Sequence, residues 1–210
     1  MNKKIIFCLI LFFAIAIIIF IKSSYKSINF GKNIINQSAD KIKENILNIE
    51  SYEANVKITI TSNKNTNTYE AKQKYYKENN LYRQEIIFPE NIAGVVSEFD
   101  GKNLQIKNTK LNLSKIYEDY NYIGSNDLSL ISFIEDCKNN DSNIYENEEE
   151  IILETVVKNN NKYRAIKRLF INKNTGNPIK MEIKDNAQNT LVYILYNEIQ
   201  INKLQKEQMN

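Results

Sequence analysis

The chain has 210 residues, with 28 Lys and Arg against 25 Asp and Glu and a formal charge of +3 at pH 7. Its lysines are interleaved with acids rather than clustered, which excludes the electrostatic footprint of a nucleic-acid binder. It has no histidine, and its five glycines form no phosphate loop or dinucleotide fingerprint, so the usual general base, the commonest metal ligand and nucleotide chemistry are excluded together.

Met1-Asn2-Lys3-Lys4 precede an uncharged run from Ile5 to Ile21. About 17 residues are enough to cross a hydrocarbon core of roughly 30 Å. With each central Ile, Leu or Phe contributing about −0.3 to −0.6 kcal/mol, the run sums to roughly −5 to −10 kcal/mol in favour of insertion. The competing reading is a removed signal peptide, but the run ends Ile18-Ile19-Phe20-Ile21 without a small-x-small cleavage site. Residues 1–22 therefore read as an uncleaved signal-anchor, one transmembrane helix that places the remainder on the extracytoplasmic side of the cell membrane. Residues 23–32 read as a juxtamembrane linker, 33–203 as one domain, and 204–210 as a polar tail that frays. Cys8 lies inside the apolar run and Cys137 stands alone, so no internal disulfide is expected.

Ile35, Ala39, Ile42, Ile46 and Ile49 recur at steps of three and four, one stripe of an amphipathic helix that Asn36 or Ser38 can cap. The period changes at Ser51, where Tyr52, Ala54, Val56, Ile58 and Ile60 alternate with polar residues, a strand with one buried face. Ser62-Asn63-Lys64-Asn65 turns the chain, and Tyr69, Ala71 and Tyr75 resume the alternation. Leu81–Phe88, Val95–Phe99 and Leu104–Lys107 read as further strands, the last two joined by the tight turn at Asp100-Gly101. Leu128, Ile131, Ile134 and Cys137 mark a second helix, with Ser125 or Asn126 as its cap. Strands at Ile151–Val157, Tyr163–Ile171, Ile179–Asp185 and Thr190–Ile199 follow.

Short strands in succession, with turn signals about every ten residues, indicate an antiparallel meander rather than βαβ units. The expected fold class is α+β: a strongly curved antiparallel sheet, an unclosed β-barrel, whose concave face is covered by the two helices, preceded by the transmembrane helix. A β-sandwich and a closed up-and-down barrel are the alternatives. Val56, Ile58, Ile60, Tyr69, Tyr75 and Ile87 are the candidate apolar concave face, able either to hold an acyl chain or an apolar partner element or to serve as core. Tyr69, Tyr75, Tyr76, Tyr82, Tyr117, Tyr120 and Tyr122, with Phe88, Phe99 and Phe133, carry the same two readings. Glu148-Glu149-Glu150 reads as a solvated turn, with a metal or acid-pair site as the competing reading. No catalytic residue, metal ligand or cofactor site is identified.

The helix running into Ser51-Tyr52-Glu53-Ala54-Asn55-Val56, the stretch Tyr76–Arg83, the turn Phe99-Asp100-Gly101-Lys102-Asn103-Leu104 and the segment Leu169-Phe170-Ile171-Asn172 with Gly176 and Ile179 resemble, in order and spacing, the lipoprotein-carrier superfamily of LolA and LolB. The resemblance covers Ile35 to about Ile201. Within that superfamily the chain is similar to the GerS-type spore-germination proteins. That resemblance implies a partner and no reaction: a cortex-modifying N-acetylmuramoyl-L-alanine amidase, bound and supported at the cell wall. A lipid or lipoprotein carrier is the alternative it implies. Two departures stand out. No lipobox cysteine ends the apolar run, so a transmembrane helix replaces the lipid anchor, and Glu78 stands where carrier-type proteins have an Arg that helps hold the lid closed.

Overall fold

A computed structural model of the chain describes residues 38–120, 127–161, 163–204 and 206–209. The anchor expected over 1–22 and the linker over 23–32 lie outside the described residues. Among the described residues, no helix is long and apolar enough to cross a membrane.

Ala39–Leu47 forms α1, with Ser38 as its cap: the Lys41 N–H donates to Ser38 Oγ at 3.3 Å, satisfying one of the orphan donors of the first turn. Ile42 and Ile46, one turn apart, are its buried stripe. Six strands follow: β1 (Ser51–Thr61), β2 (Thr66–Tyr76), β3 (Leu81–Phe88), β4 (Val95–Asp100), β5 (Leu104–Asn108) and β6 (Leu113–Tyr117). After α2 (Leu130–Asn139) come β7 (Ser142–Glu146), β8 (Glu150–Asn161), β9 (Arg164–Asn172), β10 (Pro178–Lys184) and β11 (Thr190–Ile201).

Among the described residues, all eleven strands join one antiparallel sheet in the order β6-β5-β4-β3-β2-β1-β11-β10-β9-β8-β7. Every neighbour is also a neighbour in sequence except β1 and β11, which pair over eight positions with Ile58 opposite Ile194. The two edges, β6 and β7, therefore fall in the middle of the chain, on either side of α2. The sheet stays unclosed because they do not pair. One face, the concave one, packs against both helices and carries the core.

Three local expectations are corrected. The α2 cap is Ser129, whose Oγ accepts from the Ser132 N–H at 3.2 Å. Ser125 and Asn126 lie outside the described residues, and Leu128 precedes the helix. The edge strands β6 and β7 are additional to the expected set; every residue of β6 is exposed, so it lacks the buried-exposed alternation that reveals a strand. Finally, the polar tail is not frayed throughout. Lys206–Met209 forms a 3₁₀ turn, Lys74 Nζ donates to the Gln208 carbonyl, and Met209 is buried beside Leu81, Tyr82 and Arg83 of β3.

Candidate functional site: the covered concave face

Alternation on β1 and β2 sets the face. Their register puts Tyr52 opposite Tyr75, Val56 opposite Ala71 and Ile58 opposite Tyr69, and because side chains two apart share a face all of these point toward the helices. Val56, Ile58 and Tyr75 are buried there, while Ile60 and Tyr69 are half-buried against the same cluster. Ile87 is not on this face. Regular pairing of β2 with β3 sets Tyr75 opposite Tyr82, Gln73 opposite Gln84 and Ala71 opposite Ile86, so Ile86 takes the inward place and Ile87, one residue on, faces outward, 52% exposed. A bulge follows, and it sets Phe88 opposite the outward Glu70.

Both helices fill the space above this face. Ile42 and Ile46 enter from α1, and Leu130, Ile131, Phe133 and Ile134 from α2, all within one cluster with Leu153, Leu169 and Met181 of the second half of the sheet. Tyr52, Tyr82 and Phe133 are among the largest fully buried side chains, and the Tyr52 and Tyr75 rings lie 6.0 Å apart at 33°. Of the two readings of the aromatics, Tyr75, Tyr82, Phe99 and Phe133 belong to the core. Phe88, Tyr117 and Tyr120 are exposed, and Tyr122 lies outside the described residues.

Polar groups enter the same layer at two places. Gln73 is fully buried and its Nε2 donates to Gln84 Oε1 at 2.9 Å and to the Leu128 carbonyl at 3.1 Å, tying the sheet to the chain entering α2. The second place is Lys167 on β9, fully buried. Its Nζ donates to Asp136 Oδ2 at 2.7 Å and to Ser132 Oγ at 3.1 Å, both on α2, and lies 3.3 Å from Asp127 Oδ1. Arg164 also pairs with Asp127. Burial pulls the Lys167 ammonium below the ordinary lysine value, and Asp136 opposes the shift. This ion cluster ties α2 and the chain entering it to β9, beside the apolar packing. Sequence reasoning did not single out Lys167; its parity with Ala165, Leu169 and Ile171, all inward, was the signal. Among the described residues, the buried side-chain oxygen without a hydrogen-bond partner is the Tyr196 hydroxyl on β11, and burial raises its pKa far above the usual phenol value.

The carboxylates elsewhere are structural. Glu148 and Glu149 are exposed in the β7–β8 turn, where the Glu149 and Glu150 N–H groups donate to Asn147 Oδ1 at 2.9 and 2.7 Å. Among the described residues no group of three or more Cys, Asp or Glu side chains is placed to hold a metal ion. On the convex face, Arg83 pairs with Glu85 at 3.0 Å and Glu98 at 3.1 Å, and Lys107 pairs with Glu98 as well. Partial burial alone would raise the Glu98 pKa, but the hydrogen bonds from Lys107 and Arg83 outweigh it and hold the carboxyl below its usual range. A groove of about 430 Å³ runs along these residues, closed on one side by Met209.

The assembled geometry matches known folds. The chain is similar to a conserved protein from Thermus thermophilus (15% identity, TM-score 0.54, covering 82% of this chain and 93% of that one). It is also similar to a chain in the structure of the CwlD amidase from Clostridioides difficile in complex with the GerS lipoprotein (24% identity, TM-score 0.51, covering 76% and 91%). A LolA superfamily protein from Nitrosomonas europaea is a more distant likeness (13% identity, TM-score 0.44, covering 83% and 98%). The first two likenesses show the fold, an unclosed, curved antiparallel sheet with two helices, and the resemblance read from the sequence agrees with it at the level of the fold. No curated protein matches the chain in sequence. The model of the YdcC-like sporulation proteins matches residues 2–209, nearly the whole length, and the chain belongs to that family of sporulation proteins.

Proposed function

We propose that this is a non-catalytic, membrane-anchored extracytoplasmic protein that binds a cell-wall N-acetylmuramoyl-L-alanine amidase and supports it in spore cortex modification and germination. One observation carries the choice over a lipid or lipoprotein carrier: the concave face is occupied by the protein's own helices. To admit an acyl chain, α2 would have to withdraw Leu130, Phe133 and Ile134, each worth about 1.5–3 kcal/mol of burial, and break the Lys167–Asp136 contact. A resident of the cell surface that acts through a partner has no need of that opening; its filled interior gives a rigid body with its working surface outside. Membership in a sporulation family and the fold shared with a chain of the amidase–GerS complex support the reading.

The test is affinity purification of the tagged full chain, in detergent, from sporulating cells, with native mass spectrometry of the eluate. Recovery with a cell-wall amidase in a fixed ratio is expected. Recovery with bound lipid or a lipidated chain and no amidase would overturn the proposal in favour of the carrier.

A further inference from the structure

Every residue of β6 is exposed. Leu113 and Ile116 on this strand are 64% and 58% exposed, and Leu111 in the turn before it 66%; β6 is an edge to whose outer side no described strand is bonded. An exposed edge with apolar side chains on both faces is an unprotected template for strand addition. Leu113 and Tyr117 lie on one face of β6 and Ile116 on the other, since their sequence spacing is even and odd.

Charge narrows what can add there. From Gly101 to Tyr117 the sequence has lysines at 102, 107, 110 and 115 and no acid. Lys102 pairs with Asp119 and Lys107 with Glu98. Lys110 Nζ donates to the Glu90 carbonyl at 3.0 Å, and Lys115 Nζ sits 4.7 Å from the centre of the Tyr117 ring; neither has a carboxylate partner among the described residues. A second copy fits poorly, because antiparallel self-pairing centred on β6 sets Lys115 directly against its own equivalent, and like charges opposed across strands are destabilising. A segment bearing carboxylates is favoured by the same geometry.

We infer that β6, with the turn before it, is the docking edge for an extended acidic segment of the partner protein, which adds to the sheet as a twelfth strand with carboxylates on the face of Lys115, and at Lys110 of the turn, and apolar side chains on the face of Ile116. This rests on the partner-binding reading above. Main-chain bonds along the edge supply affinity, and the alternating side chains supply selectivity.

The experiment uses the full chain in detergent and the amidase from the same cell, with Lys110→Glu/Lys115→Glu as the variant; both side chains are exposed, and an unchanged melting temperature verifies the fold. Amidase binding to the parent chain weakens with added salt, and the variant binds about tenfold more weakly or worse. If the parent binds the amidase and the variant binds it equally well, the docking edge is refuted while the partner reading stands. If the parent does not bind the amidase, the partner reading fails, and an eight-residue peptide of alternating Glu and Val decides the edge. Peptide binding that the variant loses upholds it, and binding to neither chain, or equal binding of an alternating Lys and Val peptide, overturns it. The chain has no tryptophan, so Leu113→Trp gives a single emission signal. A blue shift on transfer to phosphatidylglycerol nanodiscs without partner would assign the edge to a lipid surface instead.

Discussion

Replacing Lys167 by Met keeps a long apolar side chain in β9 and removes the ammonium alone. Three polar contacts go with it: Asp136 at 2.7 Å, Ser132 at 3.1 Å and Asp127 at 3.3 Å. Asp127 keeps Arg164, but Asp136, whose side chain is only 9% exposed, loses its cation inside the layer. Stripping one partner from a buried pair costs about 3–5 kcal/mol, a large share of a typical stability of about 5–15 kcal/mol. At about 2–4 °C per kcal/mol for a domain of this size, the melting temperature falls by roughly 6–20 °C. Urea and thermal melts followed by circular dichroism read both quantities. The double variant Lys167→Met/Asp136→Leu removes the stranded charge and recovers most of the loss. The pH dependence has a definite sign. The Lys167 pKa is lower folded than unfolded, so between the lowered folded value and the ordinary lysine value the unfolded chain binds more protons, and stability contributed at this site rises with pH across that window. Lys167→Met lacks that rise. A single variant within about 1 kcal/mol of the parent, or a double variant no more stable than the single one, would refute the assignment of the cluster as the clamp on α2.

Gly101 has φ +95°, and a Cβ there would stand 2.4 Å from the Asn79 carbonyl oxygen, so Gly101→Ala is expected to cost about 2–4 kcal/mol in urea unfolding; an unchanged midpoint contradicts the turn geometry. Tyr196→Phe removes the buried hydroxyl that has no partner and is expected to raise stability by about 1 kcal/mol, and a decrease would mean that the hydroxyl is satisfied after all. Burial pushes the Cys137 thiol up to about 11, so iodoacetamide leaves its tryptic peptide unlabelled in the native protein and labels it fully in urea. Rapid native labelling would count against a closed α2. The Glu98 carboxyl is held low when folded, so its contribution is present at neutral pH and is lost as pH falls through that depressed value. Glu98→Gln therefore loses less stability than the parent between about pH 6 and about pH 3, and parallel acid limbs for the two proteins would discount the convex ion cluster.

What the sequence made legible follows the burial of one face. Tyr52 through Ile60 alternate because β1 packs against helices on one side and water on the other, and the stripe of Ile42 and Ile46 is the matching surface; both elements were readable from period alone. β6 was not, since a strand exposed on both faces has no reason to alternate. Ile87 was misplaced because the neighbouring Ile86 and Ile87 are equally apolar, and only the parity of Tyr82 shows which of them points inward; the Met209 turn was missed because a single buried Met at the end of a polar tail gives no period. Lys167 is the most instructive omission. A lysine inside a strand reads as outward by composition, and only its parity with three inward neighbours contradicts that.

The pairing of β1 with β11 has a consequence in time. Asn55 donates to Glu198, 143 residues later, and the strands flanking that contact form the middle of the sheet. Closing so long a loop carries an entropic cost that local hairpins do not meet, and contacts this distant in sequence make for slow folding. The meander from β1 to β6 can zip up early, but β1 keeps one bare side until the last strand has been synthesised and delivered. Any stall late in synthesis or export leaves β1 and β10 each waiting with an open flank, and a truncation that removes β11 is expected to fail as a whole rather than to lose one strand.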